Sequence, residues 1–292
     1  MASVELAAEI RREPRFAWLR ALLRNPLGCV GLTMVVLIIF SAVAADLIAP
    51  YSYKALDVKA RFSEPTMAHI FGTDNLGRDT FSRTLYGGRV ALSVALIAVS
   101  ISLVVGVTLG MLAGYGPRRL DNFLLLIFDS VRAFPTIMFA LAVITVVGPS
   151  INTVIGVVVI TTVPGYARIA RTQTLALKNT EFILAERALG AGTLRVMFSH
   201  IVPNVITPLL ILASMDIPVV ITIEAGLSFL GMGVKPPTPS WGSILSDGYS
   251  FIRDTPWMVI AGGIPLIFTT VGFTFLGEAL RDIFDPKLKK EG

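Results

Sequence analysis

The amino-acid sequence predicts an all-α polytopic membrane protein with six transmembrane helices, and three observations carry that prediction. Of 292 residues, 54% are hydrophobic and only 15% are charged, against about 25% charged in an ordinary soluble domain. Mean hydropathy is +0.73, so the chain lacks the polar groups to cover a globule and its excess carbon must face lipid. The charges also fall between long uncharged runs, near the roughly 20 residues that cross a hydrocarbon core of about 30 Å. A soluble enzyme and a disordered chain are excluded. The formal charge of +5 is too small to point to nucleic acid. One cysteine, Cys29, allows no internal disulfide, and with only His69 and His200 beside it a dedicated metal centre is not expected.

Residues 1–24 read as a cytoplasmic segment, and 25–292 as one transmembrane domain. The first span, 25–45, lies between Arg24 and Asp46. Its 21 uncharged residues exceed the roughly 7–15 of a signal-peptide core, so Ala42-Val43-Ala44 is read as helix and not as a cleavage site. The second span, 90–115, begins after Arg89. Ala133 to Ala167 is uncharged but broken by Gly148-Pro149, too short for two spans and a turn. The third span therefore starts earlier and covers 120–147, carrying Asp129 and Arg132, and the fourth covers 150–168. The fifth and sixth are 201–232 and 255–278. External segments fall at 46–89 and 234–254, and a cytoplasmic segment at 169–200. In the second external segment, Pro236, Pro237 and Pro239 remove amide donors and predict a stiff extended loop. Trp241 and Trp257 suit the membrane–water boundary.

Orientation follows the lysines and arginines. With the N-terminus inside, the cytoplasm receives Arg11, Arg12, Arg15, Arg20 and Arg24, then Arg118 and Arg119. It also receives Arg168, Arg171, Lys178, Arg187 and Arg195, and finally Arg281, Lys287, Lys289 and Lys290. Those are 16 of the 25, and both ends inside is the expectation.

The cytoplasmic segment is the informative one. Thr180 suits an N-cap, and Glu181 places negative charge on a first helical turn. Phe182, Ala185 and Leu189 then recur at i, i+3 and i+7 as one apolar stripe. Gly190-Ala191-Gly192 ends that helix, and Thr193 suits the cap of the next. Three uses of such a stripe stand open: lying in the lipid interface, packing beneath the bundle, or docking into a groove on a soluble partner.

Leu184-Ala185-Glu186-Arg187-Ala188-Leu189-Gly190, followed by His200-Ile201-Val202-Pro203, resembles the EAA loop of bacterial ABC importer permeases. Gly190 and Pro203 fall in register with that pattern. Leu184 stands at its glutamate position, and Glu186 at its second alanine. The stretch Phe71-Gly72-Thr73-Asp74-Asn75-Leu76-Gly77-Arg78-Asp79, with Leu85-Tyr86-Gly87-Gly88-Arg89, is similar to the external segment of dipeptide/oligopeptide/nickel permeases. So are Glu224 to Gly231, Pro239-Ser240-Trp241-Gly242, and Leu280-Arg281-Asp282 with Asp285-Pro286. One helix, a long external segment and five further spans resemble the C-type subunit of that family.

The resemblance implies a permease subunit of a binding-protein-dependent importer in a bacterial inner membrane. It would pair with a second, related permease, two cytoplasmic ATPases carrying ATP and magnesium, and an external solute-binding protein. The coupling contacts it implies are Glu181, Phe182, Ala185, Glu186, Leu189, Gly190 and Pro203. It also implies an external face near the binding protein containing Arg78, Asp79 and Trp241. The chain carries no G-x-x-x-x-G-K-[S/T] phosphate loop, and no cofactor of its own is expected.

Asp216 and Glu224 lie in the fifth span with Pro218 between them. Either they line the solute path, or they serve structure: one bonding backbone freed near Pro218, the other at the outer interface. Asp129 and Arg132 are spaced to pair at i, i+3, as are Glu278 and Arg281. His69 is expected to be external and solvated. A secondary transporter would show internal repeats and an intramembrane enzyme a nucleophile–base pair, and neither pattern is present in the sequence.

Overall fold

The computed structural model describes residues 17–284. Arg11, Arg12, Arg15, Asp285-Pro286, Lys287, Lys289 and Lys290 lie outside them. A short helix α1 (Ala17–Arg24) leads into α2 (Pro26–Val43), started by Asn25, whose side chain accepts the amides of Leu27 and Gly28 at 3.0 and 3.3 Å. An irregular external segment follows, and then α3 (Thr80–Tyr115). The carboxylate of Asp79 accepts the Ser82 amide at 2.7 Å and so sets the start of α3 ten residues before the expected span.

Next come α4 (Arg118–Arg132) and α5 (Thr136–Val147), then α6 (Ile151–Leu177), capped by Ser150. The short helix α7 (Glu181–Ala188) is followed by a turn at Thr193–Val196. That turn runs through a wider π turn, Met197–Ile201, into α8 (Val202–Phe229). Helix α9 (Trp241–Ser250) and the long α10 (Trp257–Phe284) complete the described residues.

Five helical stretches are long and apolar enough to cross a membrane, and a sixth crossing requires α4 and α5 together. That pair stands where the sequence places the third span. The chain bends by 87° between the two helices, because Pro135 cannot donate to the preceding turn and its ring clashes with it. Helix α4 is amphipathic: Leu124 and Phe128 pack against Ala113 and Ala167, while Phe123 and Leu126 stay exposed.

The core centres on α3 against α6. Gly106, Gly110 and Gly114 recur every four residues along α3, on the face that meets α6. A β-carbon at Gly110 would lie 2.3 Å from the carbonyl oxygen of Ala167, and one at Gly106 would lie 2.4 Å from Cβ of Tyr166. Glycine is what lets the two backbones approach. In a membrane such small-residue seams drive association by close packing where no hydrophobic effect separates helix from lipid. Helix α10 packs on both α2 and α8, closing the bundle.

Candidate functional site

The segment expected to be cytoplasmic is built on α7. Thr180 does not cap it with its side chain; its hydroxyl donates backwards to the Leu177 carbonyl at 2.7 Å. The helix ends as expected: Gly190 adopts φ +90°, its amide reaches the Arg187 carbonyl at 2.9 Å, and the Ala191 amide reaches Glu186 at 3.0 Å. This pair of bonds closes the last turn and needs a left-handed residue. The cap of the following turn is Gly192 rather than Thr193.

Only Ile183 of α7 is buried. The predicted stripe lies free: Phe182 is 46% and Leu189 86% exposed, and Ala185 is exposed as well. Glu181 is exposed on the first turn, Glu186 lies 3.6 Å from Nε2 of His200, and Pro203 stands in the first turn of α8. Two contacts tie this segment to the inner end of α3. Arg187 donates from Nε to the Tyr115 hydroxyl at 3.1 Å and lies over that ring at 4.9 Å, and Lys178 donates to the Gly114 carbonyl at 2.8 Å.

Deeper in, a cavity of about 550 Å³ opens where α4 breaks from α5. It is lined by Arg132 and Phe134 at the break, by Thr162, Gly165 and Arg168 of α6, and by Asp216 of α8. Asp129 does not pair with Arg132 although both lie in α4; Arg168 of α6 donates to Asp129 at 2.6 Å instead. Arg171 likewise holds Asp121. The buried Tyr166 hydroxyl, close to Asp216, has no hydrogen-bond partner. No hydrogen bond from Asp216 to backbone near Pro218 is present; that carbonyl accepts from Thr222 at 2.9 Å. Glu224 is not among the residues lining this cavity: it is 0% exposed, and its Oε1 accepts from Ser228 at 2.7 Å while Oε2 has no partner.

At the opposite end of the bundle, Arg78 is 8%, Asp79 2% and Trp241 1% exposed, so these side chains chiefly hold the segment together. Asp74, fully buried, accepts the amides of Leu76 and Arg78, then Nε of Arg78 at 2.6 Å and the guanidinium of Arg83. Arg83 reaches on to Asp247 of α9 at 3.3 Å. Two arginines against two aspartates leave no net charge to bury, which is why such a cluster is tolerated away from water. His69 is not solvated: it pairs with Asp79 at 2.9 Å and stacks on Tyr51. The stiff external loop holds only as far as Ser240, whose side chain and that of Ser243 form a reciprocal cap that starts α9. Among the described residues Glu278 and Arg281 form no ion pair, both being exposed, and no cluster of His, Cys, Asp and Glu is placed to hold a metal.

The family described as binding-protein-dependent transport system inner membrane component matches residues 106–290, and the N-terminal TM domain of oligopeptide transport permease C matches residues 17–65. The chain is 38% identical over 270 residues to the dipeptide transport system permease protein DppC of Alkalihalophilus pseudofirmus, covering 92% of this chain and 89% of that one. It is 37% identical over 287 residues to the oligopeptide transport system permease protein OppC of Bacillus subtilis, covering 97% and 94%. It is 37% identical to the glutathione transport system permease protein GsiD of Pectobacterium atrosepticum, covering 96% and 93%. Among solved structures it is similar in fold to a chain of the MetNI methionine ABC transporter in an inward-facing conformation. The TM-score is 0.57 at 17% identity, over 70% of this chain and 97% of that one.

Proposed function

Since the chain belongs to the family of binding-protein-dependent transport system inner membrane components, we propose that it forms half of an ATP-driven import path for small peptides. It is a multi-pass subunit of a bacterial inner membrane. The observation that carries the reading is the stripe of α7: Ile183 is buried against the bundle, while Phe182, Ala185 and Leu189 stay exposed among the described residues. A groove on a cytoplasmic ATPase would cover it in the way a helix docks through spaced apolar anchors.

In this reading Phe182, Ala185 and Leu189 are the anchors, Glu181 and Glu186 the polar contacts, and Gly190 and Pro203 fix the exit of the chain. ATP and magnesium sit on two such ATPases and not on this chain. Both termini are cytoplasmic, in keeping with the lysine and arginine distribution. A second, related permease faces the broken helix, and an external solute-binding protein delivers the peptide. The peptide class rests on what the relatives are named for.

The chain's own contacts supply a route for force. Movement of α7 passes through Arg187 and Lys178 to the end of α3. The glycine seam makes α6 follow α3, while the continuous run 193–229 carries the same displacement into α8. The cavity lies between α6, α8 and the break, so it is the space these movements change.

The test is reconstitution of the complete complex in proteoliposomes with labelled dipeptide and binding protein. Uptake should require ATP and should stop when residues 181–189 are replaced by a Gly-Ser segment, with the membrane subunits still co-purifying. ATP-dependent uptake that survives the replacement would overturn the coupling role.

A further inference from the structure

We infer that the cavity at the break between α4 and α5 is a binding site for a short zwitterionic peptide, with Asp216 receiving the α-ammonium and Arg132 the carboxylate. This rests on the transport reading and adds to it a site on this chain and a polarity of binding.

Depth comes first. Asp216 is the fifteenth of the 28 residues of α8, so at 1.5 Å per residue it stands about 20 Å from either end, near the middle of the bilayer. A carboxylate there is costly unless it meets protein, water or a cation. Among the described residues this carboxylate has no ion pair. Arg168 and Arg171, the arginines of facing α6, are held by Asp129 and Asp121. The remaining polar neighbour, the hydroxyl of Tyr166, closes no hydrogen bond. The carboxylate therefore faces the cavity without an ion-pair partner, open to a cation that a solute brings.

Charge along the cavity comes next. Its lining runs along α6 from Thr161 and Thr162 to Arg168, seven residues or about 10 Å. Gly165 lies between them, with open space where a side chain would stand. Arg132, at the break, has no ion pair among the described residues. An acid at mid-depth and a free guanidinium in one cavity match a solute carrying both charges, and about 10 Å is the reach of an extended chain of roughly three residues. The volume of about 550 Å³ falls within the range of small-ligand sites, roughly 300–1,000 Å³. An anion alone would leave Asp216 unmatched, and a neutral solute would leave both charges unmatched.

The experiment uses the assembled complex carrying Cys29→Ser and Thr162→Cys in this chain. A charged thiol reagent labels the new cysteine, and trialanine or N-acetyl-trialanine competes. Trialanine at about ten times its Kd should slow labelling about tenfold by occupancy. The acetylated peptide, lacking the ammonium, should protect about ten- to a hundredfold less well. Asp216→Asn should abolish the difference, Asp216→Glu should restore it, and Arg132→Gln should weaken protection by both peptides. Equal protection by the two peptides, or protection unchanged in Asp216→Asn, overturns the inference. Restoration of protection by Tyr166→Phe in the Asp216→Asn background would also overturn it, since Asp216 would then serve only that hydroxyl. Peptide uptake by the wild-type complex is measured in parallel. Uptake without protection sinks this site alone, while absent uptake sinks the transport reading beneath it.

Discussion

The indole N–H of Trp241 donates to the backbone carbonyl of Thr84 at 2.9 Å, joining the start of α9 to the outer end of α3. The ring sits against Gly87 and Gly88, and the Thr84 hydroxyl continues to the Ala261 carbonyl of α10 at 3.1 Å. Three helices meet through two residues.

Trp241→Phe keeps an aromatic ring but removes the indole donor from a carbonyl that keeps its own helical bond, a loss of about 0.5–1.5 kcal/mol for one hydrogen bond. Trp241→Ala adds a cavity and raises the loss to about 3–5 kcal/mol. Thermal unfolding of the detergent-purified complex should show the two variants in that order below wild type; equal midpoints for all three would contradict the packing described.

Gly110→Leu should prevent α3 and α6 from meeting, since even a β-carbon there falls 2.3 Å from backbone oxygen. Such a clash with backbone cannot relax by a rotamer change, and overpacking costs about 1–3 kcal/mol or more. The expected readout is loss of folded, protease-resistant chain. Gly165→Ala, in open space, should leave the yield unchanged.

Gly190→Val places a β-branched residue at φ +90°, where a left-handed conformation costs roughly 1–2 kcal/mol. The end of α7 should unwind and the anchors lose register. ATP hydrolysis should persist while peptide uptake falls at least about tenfold, the effect of roughly 1.4 kcal/mol on the coupled state. Undiminished uptake would show that α7 transmits nothing.

Asp46 accepts from Tyr86 at 2.6 Å and from Arg89 at 3.1 Å, and these bonds, Tyr86 first, hold its carboxyl below the usual carboxylate range. A lowered folded value means the contribution is present above the unfolded pKa of about 3.9 and disappears as pH falls through the folded one. Melting of wild type and Asp46→Asn should therefore differ by a constant amount from about pH 5 to pH 8 and converge in stronger acid. A difference that grows on acidification would refute the sign.

Much of this architecture was legible in residue order. Runs between charges marked the spans, and Gly190 marked the end of the cytoplasmic helix. What was not legible was pairing in space. Asp129 and Arg132 are spaced to meet and do share α4, but the carboxylate finds Arg168 of α6, 39 positions away. Arg78 and Asp79 read as surface because single charges rarely go inside. Their burial depends on Asp74, Arg83 and Asp247 closing the same network, a compensation that spacing alone does not reveal. In the candidate path, Asp216 stood out as an intramembrane charge, whereas Arg132 joined it only through the bend.

The right-angle turn after α4 also bears on how such a protein is made. Twelve residues of α5 rise about 18 Å, short of a hydrocarbon thickness near 30 Å. Inserted by itself, the newly made chain carries a notch whose arginines, Arg132 and Arg168, acyl chains cannot solvate, so lipid must thin or water must seep in. A cell gains nothing by stockpiling such an orphan, and balanced synthesis with whatever fills the notch follows from the shape of a single turn.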